Sequence, residues 1–207
     1  MFNVIYRFIS FYVLYIITKI KYIGRVKFKG FSIVCALPGS SIDFIGKGTI
    51  VNNYTVSNPI GLWQRSVFVA QYGGKLTIGE GCGISGSTFF TMDEITIGKH
   101  VLVGANCKII DNDFHPLHYS KRFPQSPEDI QRKAIHIGDY CFIGANSIIL
   151  KGTSLGKNCV VGAGSVVHGV WPDNSIIAGN PARMIRMNSF KRDSEPIVTK
   201  EDCDNSL

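Results

Sequence analysis

The chain has 207 residues, 45% of them hydrophobic and 18% charged, a balance that suits one well-cored domain and excludes a disordered polymer. Its net charge is +7, but Arg7, Lys19, Lys21, Arg25, Lys27 and Lys29 all precede the first acid, Asp43, so the remainder carries only +1. A basic balance confined to one segment argues against a nucleic-acid-binding face on the main domain, and no nucleic-acid partner is expected.

Residues 1–30 form the first segment, and residues 2–23 within it are hydrophobic and basic. The uncharged stretch from Phe8 to Thr18 is 11 residues long, short of the ~20 that a spanning helix needs. No small-x-small cleavage pattern follows it, so it does not read as a signal peptide. The expectation is a hydrophobic N-terminal helix lying against something. One surface is the anionic inner face of a membrane, met by apolar burial and the basic cluster, which would make peripheral membrane contact. The other is the domain itself or an oligomer interface.

A six-residue period dominates the region that follows. Ile45-Gly-Lys-Gly-Thr-Ile reads as an early coil, and the period is lost between Asn52 and Val67. Ile78 and Ile84 open two more hexads, and a bulge is expected near Phe89–Glu94. From there Ile97, Val103, Ile109, Ile137, Ile143, Ile149, Leu155, Val161 and Val167 each lead a hexad. Gly follows six of these nine, and Cys, Ser or Thr fills the fifth position in six. Such a period fits a short strand, one inward aliphatic side chain and a sharp turn that Gly would permit. Sandwich strands would instead alternate with period two. Cys107, Cys141 and Cys159 share the fifth phase and read as small buried fillers. No C-x-x-C pair is present, so neither metal nor redox chemistry is expected of them, and a reducing compartment follows. Between Ile109 and Ile137 the repeat is broken by a polar, proline-containing stretch, residues 116–134, expected to leave the solenoid as an extended loop. Trp171 and Pro172 close the repeat, and residues 187–207 read as a frayed polar tail.

The hexads, the D-N-D-F-H-P-L segment at Asp111–Leu117 and the closing A-G-N-P-A-R-M-I-R at Ala178–Arg186 together resemble the hexapeptide-repeat acyltransferases. Within them the chain is most similar to the maltose/galactoside O-acetyltransferase group and to acetyltransferases of bacterial surface-polysaccharide synthesis. The resemblance covers roughly residues 73–186 and implies a left-handed parallel β-helix, all-β, over residues 31–186. It also implies acetyl-CoA as co-substrate, a saccharide acceptor, and homotrimers with active sites between neighbouring subunits. No metal is expected.

Acyl transfer to a hydroxyl needs a base that is neutral near pH 7, which suits histidine. His115 stands where regular coil gives way to loop and matches the family's catalytic histidine. Asp111 and Asp113 are the nearby carboxylates able to orient it, and Asp93, in an earlier irregular turn, is another candidate. Asp93 is also taken with Ser85 and Ser87 as acceptor-binding, because the family places such residues in this irregular coil. Ala145 is small enough to expose a backbone N–H to the developing oxyanion. The resemblance places coenzyme A along the C-terminal coils beside Ala145 and Ala163. Arg183 matches its basic residue near the nucleotide phosphates, and Lys151 and His168 are further candidates.

Three other readings share these features. N-acylation of an amino sugar needs the same fold and coenzyme. A zinc-dependent hydratase would recruit His115, His118 and His136 as ligands. A non-catalytic scaffold would leave the histidine and C-terminal motifs without a use. The O-acetyltransferase reading carries with it a cytoplasmic location, with the inner membrane face as an alternative.

Overall fold

In the computed structural model, which describes residues 20–21, 25–55 and 59–188, the chain winds as a parallel β-helix of three sheets. The first sheet stacks Ile20–Lys21, Ser41–Phe44, Lys75–Ile78, Glu94–Ile97, Ile135–Ile137, Ser154–Leu155 and Val170–Trp171. The second stacks Lys27–Lys29, Ile50–Asn52, Gly83–Ser85, Leu102–Val103, Phe142–Ile143, Val160–Val161, Ser175–Gly179 and Ala182–Met187. The third stacks Ile33–Ala36, Val67–Ala70, Thr88–Thr91, Lys108–Ile110, Ile148–Leu150 and Val166–Val167. A turn of the regular region takes eighteen residues, which places Ile143 beside Val161. The coil from Ile78 to Ile97 takes nineteen and carries the longer strand Thr88–Thr91.

Like residues stack on like, and this builds the core. All nine aliphatic residues that lead the hexads are buried. Each inward aliphatic side chain contributes about 1.5–3 kcal/mol by leaving water. Towards the N-terminus the core is aromatic: Phe28, Phe44, Phe68 and Phe89, drawn from all three sheets, meet in sequence with ring centroids 6.1, 5.5 and 5.2 Å apart.

The glycines after the leading residue have a different purpose from the one expected. Gly79, Gly98, Gly104, Gly138, Gly144 and Gly156 do not have positive φ. They are needed because coils approach closely: a Cβ on Gly138 would lie 2.6 Å from the Gly156 carbonyl, and one on Gly104 would lie 2.6 Å from the Ala145 amide nitrogen. The left-handed turn falls two residues later, at Gly81, His100, Asn106, Tyr140, Asn146, Gly152, Asn158 and Gly164. Asn tolerates that conformation through its short polar side chain, and Gly through having none.

The fifth-position fillers are buried, as expected, and they also bond between coils. The Cys82 thiol donates to Gly98 O at 3.2 Å, Cys107 to Gly144 O at 3.2 Å and Cys141 to Gly156 O at 3.1 Å. Burial pushes the Cys82 thiol up to about 11 and raises Cys107 as well. A thiol whose folded value lies above its unfolded value of about 9.0 binds a proton more tightly in the native state. Stability that is complete below pH 9 is therefore lost as the pH rises towards 11. Denaturant titrations at pH 8 and pH 10.5 should show a lower midpoint at the alkaline pH, reduced further in wild type than in Cys82→Ser.

Two expectations are corrected. Among the described residues of 1–30 there is strand rather than helix: Ile20–Lys21 pairs with Ile42 and Asp43, and Lys27–Lys29 pairs with Ile50–Asn52. The solenoid therefore begins before residue 31, and the rest of the expected helix, with its membrane contact, lies outside the described residues. The early coil exists, but Phe44 leads it. Phe44 lies beside Ile78 and is 1% exposed, whereas Ile45 is 50% exposed. Among the described residues, no helix is long and apolar enough to cross a membrane.

The stretch 116–134 leaves the solenoid with two short 3₁₀ turns, Tyr119–Lys121 and Pro127–Asp129, and no strand. At the C-terminus, Ala182–Met187 folds back antiparallel on Ser175–Gly179 and ends the second sheet. The rest of the expected tail, residues 189–207, lies outside the described residues.

Candidate functional site

The D-N-D-F-H segment leaves the third-sheet strand Lys108–Ile110, and each residue in it has a separate task. Asp111 is fully buried. One of its oxygens accepts from Met92 N at 2.9 Å and Asn112 Nδ2 at 3.0 Å; the other accepts from Thr91 Oγ1 at 2.5 Å and Asp93 N at 2.9 Å. The carboxylate thus pins this corner to the corner of the preceding coil. Asn112, anchored on Asp111, accepts from Phe114 N at 2.9 Å. Asp113 accepts from Lys151 Nζ at 2.6 Å, and its second oxygen is buried without a partner.

Phe114 has φ of +59°, a left-handed conformation that is uncommon for a bulky residue. It is held there by the Asn112 bond and by its ring against Phe90, centroids 4.7 Å apart. The turn it makes sets His115 on the exposed rim of the corner. Strained turns of this kind persist where their surroundings over-determine them, and they concentrate at functional sites.

None of the three expected carboxylates is bonded to the imidazole: Asp111 is occupied by four donors and Asp113 by Lys151, and Asp93, though exposed at the same corner, makes no hydrogen bond to it. His115 Nδ1 instead lies 2.7 Å from Gln125 Oε1. Gln125 comes from the excursion 116–134, which is tied back by Arg132 Nη1 donating to Met92 O at 3.0 Å and by Lys133 N donating to Asp111 O at 2.8 Å. Nothing in the sequence singles out Gln125, which is one polar residue in a polar loop without periodicity.

The remaining candidates divide between two corners. His115, Lys151, His168 and Asp93 lie between the third and first sheets. Asp93 is exposed there, one coil before Asp111, and Lys151 is engaged with Asp113. Ala145 and Ala163 lie between the second and third sheets, and Arg183 lies on the second-sheet strand Ala182–Met187, paired with Ala178. Coils are close at that corner, since Gly164 N donates to Ala145 O at 2.8 Å and Gly179 N donates to Ser165 Oγ at 3.1 Å. It is also open outwards: a Cβ on Gly164 would meet nothing within 4 Å, and Ala163 and Arg183 are exposed. One protomer therefore does not bring the two groups together.

Ser85 is half-buried on the second sheet, at the end of the Gly83–Ser85 strand. Ser87 is fully buried, donates to Ser85 O and Gly104 O at 2.9 Å each, and accepts from Cys107 N at 3.0 Å. It fills the corner as the buried Cys and Ser residues of later coils do, so it has no surface for an acceptor. Sequence reasoning also passed over Trp63, which is 74% exposed and has Lys108 Nζ 5.5 Å from its ring centroid. The lost period around it hid the residue. Among the described residues no three metal-ligating side chains converge, and His118 Nδ1 is taken by Ser120 Oγ at 2.7 Å.

Comparison with known proteins gives these observations a context. Residues 94–109 and 134–168 match the hexapeptide repeat of succinyl-transferase. The galactoside O-acetyltransferase of Lactococcus lactis is 36% identical over 60% of this chain and 60% of its own length. A protein of Escherichia coli K12, named provisionally as a lipopolysaccharide biosynthesis O-acetyl transferase, is 35% identical over 46% of this chain and 52% of its own. The chain thus spans about half the length of the curated relatives it matches. Among solved structures, a galactoside acetyltransferase in complex with coenzyme A has a TM-score of 0.53 at 25% identity, over 70% of this chain and 65% of its own. A polySia-specific acetyltransferase has a TM-score of 0.63 at 23% identity over 86% and 78%, a likeness of fold. The shared fold is the left-handed parallel β-helix.

Proposed function

We propose that this chain, whose repeats are those of the hexapeptide-repeat acyltransferases, transfers an acetyl group from acetyl-CoA to a hydroxyl of a saccharide. The observation that carries the reading is the exposed His115, which follows the left-handed turn at Phe114 and has Nδ1 engaged by Gln125. In this reading His115 Nε2 takes the proton of the acceptor hydroxyl as its oxygen bonds to the acetyl carbon. The thioester C–S bond breaks, and the proton passes to the departing thiolate. Asp93, exposed at the same corner, would meet a hydroxyl of the acceptor.

Acetyl-CoA supplies the activated acetyl group. The corner of Ala145 and Ala163 fits a long co-substrate because it is open and its side chains are small. Arg183 would pair with phosphate at the end of that groove. In this reading the chain forms a homotrimer, which would bring this corner of one protomer to the His115 corner of its neighbour. The name of the Escherichia coli relative favours a cell-surface polysaccharide or its lipid-linked precursor as acceptor.

Calorimetric titration with acetyl-CoA tests the proposal before any acceptor is known. One site per chain is expected, with affinity falling about tenfold in Arg183→Ala, as loss of one charge-assisted contact implies. A folded oligomer that binds no acetyl-CoA overturns the proposal.

A further inference from the structure

His115 meets an amide where a carboxylate was expected, and the orientation of that amide has a consequence. Gln125 Nε2 donates to Phe114 O at 3.0 Å. A backbone carbonyl only accepts, so the amide nitrogen must face it, and Oε1 must face the imidazole. Oε1 also only accepts. The hydrogen bond of 2.7 Å to Nδ1 therefore requires the proton on Nδ1, which leaves Nε2 with a bare lone pair. Phe114 O, the acceptor that fixes the amide, belongs to the residue whose left-handed turn directs His115. One turn thus sets both the ring and the group that chooses its tautomer.

We infer that Gln125 is the positioning residue of this site, holding the neutral His115 as its Nδ1–H tautomer so that Nε2 can accept a proton. The inference rests on His115 being the base, but its test does not need acetyl transfer to occur. Of the carboxylates at this corner, Asp111 is engaged by Thr91, Met92, Asp93 and Asn112, Asp113 is engaged by Lys151, and Asp93 makes no hydrogen bond to the ring. Gln125 is exposed and in a loop without strand, so changing it leaves the solenoid core untouched.

Nitrogen-15 NMR of the uniformly labelled full chain reads the tautomer directly. The chain has five histidines, and the spectrum of His115→Ala assigns the His115 signals. At a pH where the ring is neutral, wild type should show His115 protonated at Nδ1, and Gln125→Ala should lose that preference in favour of Nε2–H. A wild-type ring protonated at Nε2, or a tautomer unchanged in Gln125→Ala, overturns the inference. In acetyl transfer, kcat should fall tenfold or more in Gln125→Ala with KM for acetyl-CoA unchanged. A rise in KM with kcat retained would mean that Gln125 serves binding and also overturns it. If no acetyl transfer is found in wild type, the functional proposal fails while the NMR result still stands.

Discussion

His115→Ala is expected to lose 10²- to 10⁴-fold in kcat, the range contributed by a positioned general base. The loss should occur with the solenoid intact. His115 is exposed and lies beyond the stacked rungs, and its polar side-chain contact is Gln125. Surface changes of that kind usually shift stability by less than about 0.5 kcal/mol. The thermal midpoint, oligomeric state and acetyl-CoA affinity should therefore match wild type. The comparison needs kcat for a saccharide acceptor beside a thermal melt of the same sample. A folded His115→Ala enzyme at full rate would remove His115 from the chemistry.

Asp111→Asn is expected to have the largest effect on stability of any isosteric change at the site. Both carboxylate oxygens accept two bonds each, from four donors. An amide keeps the shape but offers one oxygen. Its nitrogen, in either orientation, faces groups that can only donate or that donate here, Met92 N and Asn112 Nδ2 on one side, Asp93 N and Thr91 Oγ1 on the other. Leaving two buried donors unmatched costs about 3 kcal/mol. For a chain of this size that lowers the melting temperature by roughly 10 °C. Because Asn112 hangs on Asp111 and holds Phe114, acetyl transfer should also fall while acetyl-CoA binding persists. An unchanged melt would show that the carboxylate is not the anchor of this corner.

These two residues illustrate what the sequence could disclose. Repetition is legible because every coil repeats the same packing problem, and the hexads from Ile97 to Val167 therefore locate both the buried column and the break before residue 137. The reason for the glycines was not legible. A required absence of Cβ and a required positive φ select the same residue, and only the stacked neighbour at Gly156 or Ala145 separates them. Phase failed at Phe44 because an extra residue in the next corner let Ile45-Gly imitate the later hexads. At the site, motif placed His115 on its corner. It could not distinguish Asp111 from Asp113 from Gln125, since the choice depends on which donors a folded loop brings to each oxygen. Ser87 was misplaced for the related reason that a small polar residue reads alike inside and outside a coil corner.

The antiparallel end of the second sheet also bears on how copies of this protein meet. A stack of parallel rungs is a template that another molecule could extend, in the manner of fibril growth, because the last rung offers backbone groups to the next. Among the described residues, the final rung of the second sheet is Ala182–Met187, running against the direction of the others and carrying the exposed charges of Arg183 and Arg186. An incoming parallel coil would find reversed polarity and like charge there. The hairpin is therefore a poor template for end-to-end extension on that face, and leaves the flanks, where the two halves of the candidate site lie, as the surfaces free of this restriction.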